Sequence, residues 1–197
     1  MNEAGMWEGL RPVLQGLGLD PHRIENGVCV GMPDVNYTHG FIELKYLDAW
    51  PRRVTTPVRF PKLEQRPQQV AWMTQRWLSG GPAYLMIRVY RQLMLFAGPD
   101  SRLVRQGLCR ADLSWQSVWE TVPDGRIDDA RRRSLMAWLT WDDKLMTEPE
   151  RARFYRLRCG RGRQDVADAM EVLPEQLDQA ERAYCQLTSD LIEYWVC

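Results

Sequence analysis

The sequence predicts an α/β protein in which a mixed sheet flanked by helices is followed by an all-helical region. Two pairs of strand-like runs, over residues 28–47 and 83–97, support the sheet, and each pair contains a short turn. A helix-like segment precedes each pair. After about residue 107 the pattern becomes helical throughout. We therefore expect a core over residues 1–107 and a helical region over residues 108–197.

In the first region glycine and proline residues mark the ends of the predicted helices and strands. Gly16, Gly18 and Pro21 end an apolar stripe of helical spacing, and Gly40 marks the reversal between the first two strands. Pro67 opens the next helix, since proline suits a first helical turn. In chain order we predict a helix over residues 2–19, strands over 28–37 and 41–47, a helix over 67–78, and strands over 83–90 and 92–97.

The second region is divided by glycine and proline into shorter helices. Pro123, Asp124 and Gly125 separate the first two, and Gly160 and Gly162 separate two later ones. The predicted helices cover residues 114–121, 127–139, 149–158, 164–170 and 174–187.

Composition excludes several classes of protein. No apolar run approaches the roughly 18 residues of a membrane span, so we expect no membrane insertion. The first residues show no basic segment followed by an apolar one, so we expect no signal peptide. Five scattered cysteines without metal-type spacing predict a reducing, cytoplasmic location and argue against a zinc site. The two histidines, His22 and His39, share no ligand spacing and give little support to histidine-assisted nucleophilic catalysis.

Charge is balanced overall but unevenly distributed. The formal net charge is zero, yet the segment from Tyr46 to Met94 carries eight basic residues against two acidic ones. Residues 171–197 have the reverse bias, with six acidic residues against Arg182. A basic block suits a phosphate backbone, although a solvated arginine-rich surface would look the same. The acidic tail favours a protein partner.

The chemically distinctive stretch is the first predicted hairpin. Side chains alternate along a strand, so Glu43 and Lys45 share a face, about 6–7 Å apart. Pairing of the two runs would bring Asp34 close to Glu43. Neighbouring carboxylates repel unless a proton or cation lies between them, and carboxylate oxygens suit Mg²⁺ or Mn²⁺. A nearby ammonium such as that of Lys45 stabilises charge on a reacting phosphate. The alternative is an ordinary amphipathic hairpin.

The spacing also resembles a known motif. Pro33-Asp34, eight residues and then Glu43-Leu44-Lys45 is similar to the signature of the PD-(D/E)XK nuclease superfamily. Gly31, Gln69 and Trp72 extend the resemblance to the branch that contains VRR-NUC and phage Holliday-junction-resolvase-like nucleases. The resemblance covers about the first hundred residues.

The resemblance implies a DNA endonuclease that depends on Mg²⁺ or Mn²⁺. Asp34, Glu43 and the backbone carbonyl of Leu44 would bind the metal, and Lys45 would position water or stabilise the transition state. Gln69 would lie near the metal, with an exposed helix-start residue as the alternative. The resemblance further implies a phage origin, branched DNA as substrate, and a homodimer as the state of resolvase-like relatives.

Two further assignments complete the predicted site. A first helix often supplies another acid in such nucleases, and Glu3 lies near the apolar stripe of that helix. Glu25, just before the first strand, is favoured because it is closer in sequence to the hairpin. Candidate contacts to the DNA backbone come from the basic block, at Arg52, Arg53 and Arg76.

The helical region contains a second resemblance. Arg156 to Gly160, followed by Asp165 to Ala169, resembles the helix-turn-helix of sigma-factor promoter-recognition regions, here over residues 149–187. Glu171 occupies the turn position where glycine is usual. The helix after the turn reads as acidic and would repel phosphates, which favours helical packing or a protein contact over DNA reading. The polar positions behind this interpretation are Glu175, Gln176, Asp178, Gln179 and Glu181.

Two other functions remain open from sequence. One is a non-catalytic DNA-binding or regulatory protein that uses the helical region beside an inactive core. The other is an interaction factor, such as a phage protein that acts on a host protein through its acidic tail. Salt-sensitive binding without cleavage would favour the first of these, and no DNA affinity would favour the second.

Overall fold

The computed structural model describes residues 2–24 and 31–182. The chain forms two compact units, Met1–Thr140 and Trp141–Cys197. The first unit thus extends well past residue 107, where the sequence analysis placed a domain boundary. Within the described residues no helix is long and apolar enough to cross a membrane.

The sheet of the first unit has six strands in the order β1-β2-β3-β4-β5-β6. Neighbouring strands are antiparallel except β3 and β4, which are parallel and are joined through α3. This is the predicted mixed α/β arrangement. The elements of the first unit are α1 (Glu3–Gly16), β1 (His22–Arg23), β2 (Val35–Tyr37), β3 (Gly40–Leu47), α2 (Pro61–Glu64), α3 (Pro67–Leu78), β4 (Ala83–Val89), β5 (Gln92–Ala97), α4 (Ser101–Gln106), α5 (Arg110–Gln116), β6 (Trp119–Glu120) and α6 (Asp129–Thr140).

The two faces of the sheet carry different helices. On one face Leu85 and Ile87 belong to a buried apolar cluster that includes residues of α2, α3, α4 and α5. On the other face α1 packs on β3, while Tyr37 and Tyr84 donate hydrogen bonds to the carbonyls of Leu139 and Trp138 in α6. The register pairs Glu43 with Leu85, so this glutamate faces the apolar cluster beneath α3.

The prediction of a helix over residues 114–121 is wrong. Helix α5 ends at Gln116, and β6 pairs with β5 through the register Leu95↔Trp119. The backbone N–H of Val118 also donates to Leu95 O at 2.8 Å. The exposed edge of β5 provides backbone hydrogen-bond partners, and such tertiary pairing overrides a local helical pattern. The region after residue 107 is therefore not all-helical.

The second unit contains three described α-helices: α7 (Glu148–Arg158), α8 (Arg163–Ala169) and α9 (Pro174–Arg182). Thr147 and Glu150 form a capping box at the start of α7, with the Thr147 N–H donating to Glu150 Oε2 at 2.8 Å. Small and branched apolar side chains from all three helices form its core, at Ala152, Val166, Ala167, Leu177 and Ala180. Between α8 and α9 the chain turns at Glu171, whose φ of 56° is the left-handed conformation that glycine adopts more readily.

Candidate active site

Asp34 is held at the start of the first hairpin. The register Val35↔Ile42, carried one residue further, sets Asp34 opposite Glu43. Asp34 Oδ2 accepts a hydrogen bond from the backbone N–H of Leu44 at 3.0 Å, which ties the carboxylate to β3. The side chain is half-buried. The hairpin therefore brings the two predicted carboxylates together, as their spacing in sequence suggested.

Glu43 and Lys45 form a buried ion pair on β3. Their exposed fractions are 0% and 2%. Lys45 Nζ contacts Glu43 Oε1 and donates a hydrogen bond to the carbonyl of Leu44 at 3.0 Å. Among the described residues Glu43 Oε2 has no hydrogen-bond partner. The two groups predicted as cation ligands, Glu43 and the Leu44 carbonyl, thus already meet at one ammonium.

Burial raises the pKa of the Glu43 carboxyl from its ordinary 4.5 to about 7. The dominant cause is loss of hydration, because a charged carboxylate is disfavoured away from water. The positive charge and hydrogen bond of Lys45 oppose this rise, whereas the negative charges of Asp34 and Glu3 add to it. Even beside the Lys45 ammonium the pKa of this carboxyl stays near 7, so a further cation would favour its charged form.

The raised pKa of Glu43 predicts that the free energy of unfolding of the metal-free protein decreases as the pH rises. The folded state holds a proton on Glu43 between pH 4.5 and 7, where the unfolded state releases it, so stability from this group is present below about pH 4.5 and is lost as the pH rises through 7. The loss is on the order of 3 kcal/mol in the free energy of unfolding. Urea denaturation in EDTA at pH 5 and pH 8 measures it.

The matched variant is Glu43→Gln, which cannot titrate. From pH 5 to pH 8 we expect the free energy of unfolding of the native protein to fall relative to that of Glu43→Gln. A difference that stays constant across this range would show that Glu43 titrates as an ordinary surface carboxyl.

Helix α3 covers the same face of β3. Trp72 packs edge-on against Phe41 with ring centroids 4.9 Å apart, and the Arg76 guanidinium lies 5.9 Å from the centroid of the same ring. Gln69 is 4% exposed, and its Oε1 has no hydrogen-bond partner in the described part of the chain. The alternative of an exposed helix-start residue is therefore wrong for Gln69. A buried unpaired amide oxygen is costly, which suits a group that serves a ligand.

Gly31 explains how α3 approaches the hairpin. Its φ is 88°, and a Cβ at this position would lie 2.6 Å from the backbone oxygen of Gln68. Only glycine permits this close approach. The requirement connects the segment before Asp34 to the first turn of α3, where Gln69 lies.

Of the two candidates for a third acid, only one lies in the described residues. Glu25 falls outside them. Glu3, at the start of α1, pairs with Lys62 at 3.1 Å, and its charge raises the pKa of Glu43. Glu3 and Lys62 also line a cleft of about 380 Å³ whose wall includes Lys45.

Two residues in this cleft were not singled out in the sequence. Tyr46 donates a hydrogen bond to Asp48 Oδ1 at 2.8 Å, and both line the cleft. Their position directly after the Glu43-Leu44-Lys45 triplet is the signal that could have found them.

The described residues contain no group of three or more His, Cys, Asp or Glu side chains placed to hold a metal ion. They offer the Asp34 and Glu43 carboxylates, with the Leu44 carbonyl, as an all-oxygen set. Mg²⁺ commonly takes one or two carboxylates and keeps several waters, so this set fits it chemically. The unpartnered Glu43 Oε2 is the oxygen most in need of a cation.

In comparisons with protein-family models, with curated proteins and with solved structures, no match to the chain was found. The case for a function therefore depends on the residues and their geometry.

The predicted DNA contacts all lie on the surface. Arg52 and Arg53 are exposed in the loop between β3 and α2, and Arg76 is exposed near the end of α3. Arg76 is the one with a described contact to the hairpin, through Phe41. The phosphate-binding role of the three arginines stays a prediction.

The interpretation of α9 as an acidic surface is wrong. Asp178 and Glu181 are buried, at 1% and 5% exposure, and Glu181 forms a two-point ion pair with Arg156. The exposed side chains of α9 include Glu175, Gln176 and Gln179. The sequence analysis assigned Asp178 and Glu181 to the surface, because charged residues are seldom buried unless they are paired.

Proposed function

We propose that the protein is a metal-dependent DNA endonuclease that hydrolyses phosphodiester bonds with Mg²⁺ or Mn²⁺. The observation that supports this best is the buried Glu43, whose Oε2 has no partner among the described residues and whose neighbours are Asp34 and Lys45. Burial of a carboxylate with an unpaired oxygen costs stability, so a purely structural role explains it poorly.

Asp34, Glu43 and the Leu44 carbonyl would hold the metal in this proposal. When bound, such an ion polarises a phosphoryl oxygen and lowers the pKa of a coordinated water. Loss of the proton on Glu43 accompanies binding, because its pKa lies near 7 and a ligand carboxylate is ionised.

Lys45 would stabilise negative charge on the reacting phosphate. Lys45 is 2% exposed, and its ammonium is held by Glu43 Oε1 and the Leu44 carbonyl, so little reorganisation is needed to donate to a phosphate oxygen that enters the cleft. The amide of Gln69 would orient the phosphate or the attacking water from α3. The DNA backbone on either side of the reacting phosphate would be bound by Arg52, Arg53 and Arg76.

The finer parts of the proposal come from the resemblance to phage Holliday-junction-resolvase-like nucleases. They are a branched DNA substrate, a phage origin with action in the cytosol of the bacterial host, and a homodimeric state. Glu171 and Glu175, two exposed acids of the C-terminal helical region, would provide a contact for a protein partner.

The test is cleavage of supercoiled, single-stranded, linear and four-way-junction DNA with Mg²⁺, Mn²⁺ or EDTA. We expect metal-dependent products and a loss of about 10²- to 10³-fold in Glu43→Gln. Glu8→Gln is the control, since Glu8 is an exposed acid on α1, and it should cleave at the native rate. Glu3→Gln shows whether α1 supplies a third acid.

Absence of cleavage with every substrate and metal would overturn the proposal. Equal cleavage by the native protein and Glu43→Gln would assign the activity to another group or to a contaminant.

A second candidate is a non-catalytic DNA-binding protein. The exposed side of α9 lacks two of the acids that argued against phosphate contact, because Asp178 and Glu181 are buried. The turn at Glu171 between α8 and α9 has the left-handed conformation that a helix-turn-helix commonly assigns to glycine. Tight, metal-independent DNA binding without cleavage would favour this candidate.

A further inference from the structure

The turn between β4 and β5 has an aromatic residue at a strained position. Val89 pairs with Gln92, so Tyr90 and Arg91 are the only two residues of the turn. Tyr90 has a φ of 57°, whereas a hairpin turn that needs a positive φ at its first residue favours glycine. An aromatic residue in this conformation is an outlier and costs stability.

Burial does not compensate for this strain. Tyr90 is 52% exposed, and the guanidinium of Arg91 lies 5.2 Å from the centroid of its ring. The backbone is fixed from two sides, since the Tyr90 N–H donates to Leu47 O at 2.9 Å and Arg88 Nε donates to Tyr90 O at 3.1 Å. The turn thus presents a rigidly mounted aromatic ring to solvent.

A basic cavity adjoins the turn. It has a volume of about 450 Å³ and is lined by Arg88, Arg91 and Arg132 over apolar side chains such as Leu10 and Leu93. Its one acidic lining residue, Asp124, is paired with Arg126 at 2.6 Å. Three arginines, from β4, the turn and α6, therefore line a cavity whose single acid is already paired, which suits a phosphate group.

The turn and the candidate active site lie at the same end of the sheet, but Arg88 follows Ile87 and therefore points to the opposite face from Lys45. Lys45 pairs with Ile87 in the parallel register, and Tyr90 comes three residues later, about 10 Å further along the strand. Tyr46, which lines the cleft beside Lys45, is the register partner of Arg88 in the basic cavity.

We infer that this turn and cavity bind an unpaired nucleotide of the DNA substrate, with its base on the Tyr90 ring and its phosphate among Arg88, Arg91 and Arg132. Bases stack on exposed aromatic rings without regard to sequence, while arginines bind the adjacent backbone. The inference deepens the proposed nuclease function and rests on it for the substrate class. That class is DNA with a single-stranded segment next to the cleaved bond.

The test measures binding in EDTA, so that it does not depend on cleavage. A fluorescently labelled single-stranded oligonucleotide and its duplex are titrated with the native protein, Tyr90→Gly, Tyr90→Phe and Arg102→Gln. We expect Tyr90→Gly to raise the Kd for the single strand about tenfold and to change the duplex Kd little. Tyr90→Phe should bind like the native protein because its ring remains, and so should Arg102→Gln, which removes an exposed charge on α4.

The thermal midpoint separates this role from a structural one. Glycine relieves the strain at φ 57°, so Tyr90→Gly should melt at or above the native temperature while it binds the single strand more weakly. The double variant Arg91→Gln/Arg132→Gln should lower the slope of log Kd against log salt for the single strand.

Native single-strand affinity in Tyr90→Gly would overturn the inference, as would an equal loss for the single strand and the duplex. Undetectable binding by the native protein would overturn it as well. Tyr90-dependent binding without cleavage of any substrate would support the binding site and overturn the proposed nuclease function. Metal-dependent cleavage together with native single-strand binding by Tyr90→Gly would support the nuclease function and overturn the binding site.

Discussion

Replacing Lys45 by alanine is expected to lower the rate of DNA cleavage by about 10³-fold. The ammonium is the only cation that contacts both Glu43 and the Leu44 carbonyl in the described residues. Its loss removes the group aimed at the reacting phosphate and leaves a buried carboxylate without its partner. Single-turnover cleavage with saturating protein and Mg²⁺ measures the chemical step apart from DNA binding.

Lys144→Ala is the matched control. Lys45, Lys62 and Lys144 are the only lysines of the chain, and Lys144 is exposed in the second unit. We expect Lys144→Ala to cleave at the native rate and Lys45→Ala to retain DNA binding in EDTA. Lys45→Arg should recover little activity, because a planar guanidinium does not replace an ammonium in a site buried to 2% exposure. Native cleavage by Lys45→Ala would exclude Lys45 from catalysis.

Replacing Glu181 by glutamine is expected to destabilise the second unit by about 3–5 kcal/mol. Arg156 pairs with both carboxylate oxygens of Glu181, and its Nη1 donates to Arg161 O at 3.1 Å. Arg156 is 4% exposed, so loss of the carboxylate charge removes a two-point ion pair from a buried guanidinium. Hydrogen exchange of peptides from α7 and α9 reports the local opening free energy, which a global melt of two units would average.

Glu175→Gln makes the same chemical change on the exposed side of α9. We expect a change within about 0.5 kcal/mol, as for most surface substitutions. Equal protection of α7 and α9 from exchange in Glu181→Gln and Glu175→Gln would show that the ion pair adds nothing to the stability of this unit.

Sequence patterns were most reliable where a local rule applied at each end of an element. Helix α3 has the predicted bounds of residues 67–78, with proline in its first turn and glycines after its end. The strands over residues 41–47 and 92–97 were also placed within one residue, because turn residues bound them closely. The Asp34, Glu43 and Lys45 cluster follows from strand alternation and a two-residue turn, Thr38 and His39, which are both local.

Predictions were least reliable where a distant part of the chain provides the partner. Strand β6 exists because the edge of β5 accepts it, and the short helices α2 and α4 were not predicted. The burial of Gln69 and Glu181 likewise depends on packing that no local pattern encodes. The strained conformation of Tyr90 was not predicted either, because a turn of Tyr and Arg has no glycine to indicate a positive φ.

By itself the sequence determined the order of the main strands and helices and the residues that meet on the first hairpin, since both depend on neighbours within a few positions. Only the tertiary structure decided how these residues are solvated. Placing Glu43 beneath α3 against Leu85 raises its pKa and aims Lys45, and pairing Glu181 with Arg156 turns an apparently acidic surface inward. Desolvation depends on every surrounding atom, and those atoms come from elements far apart in the chain.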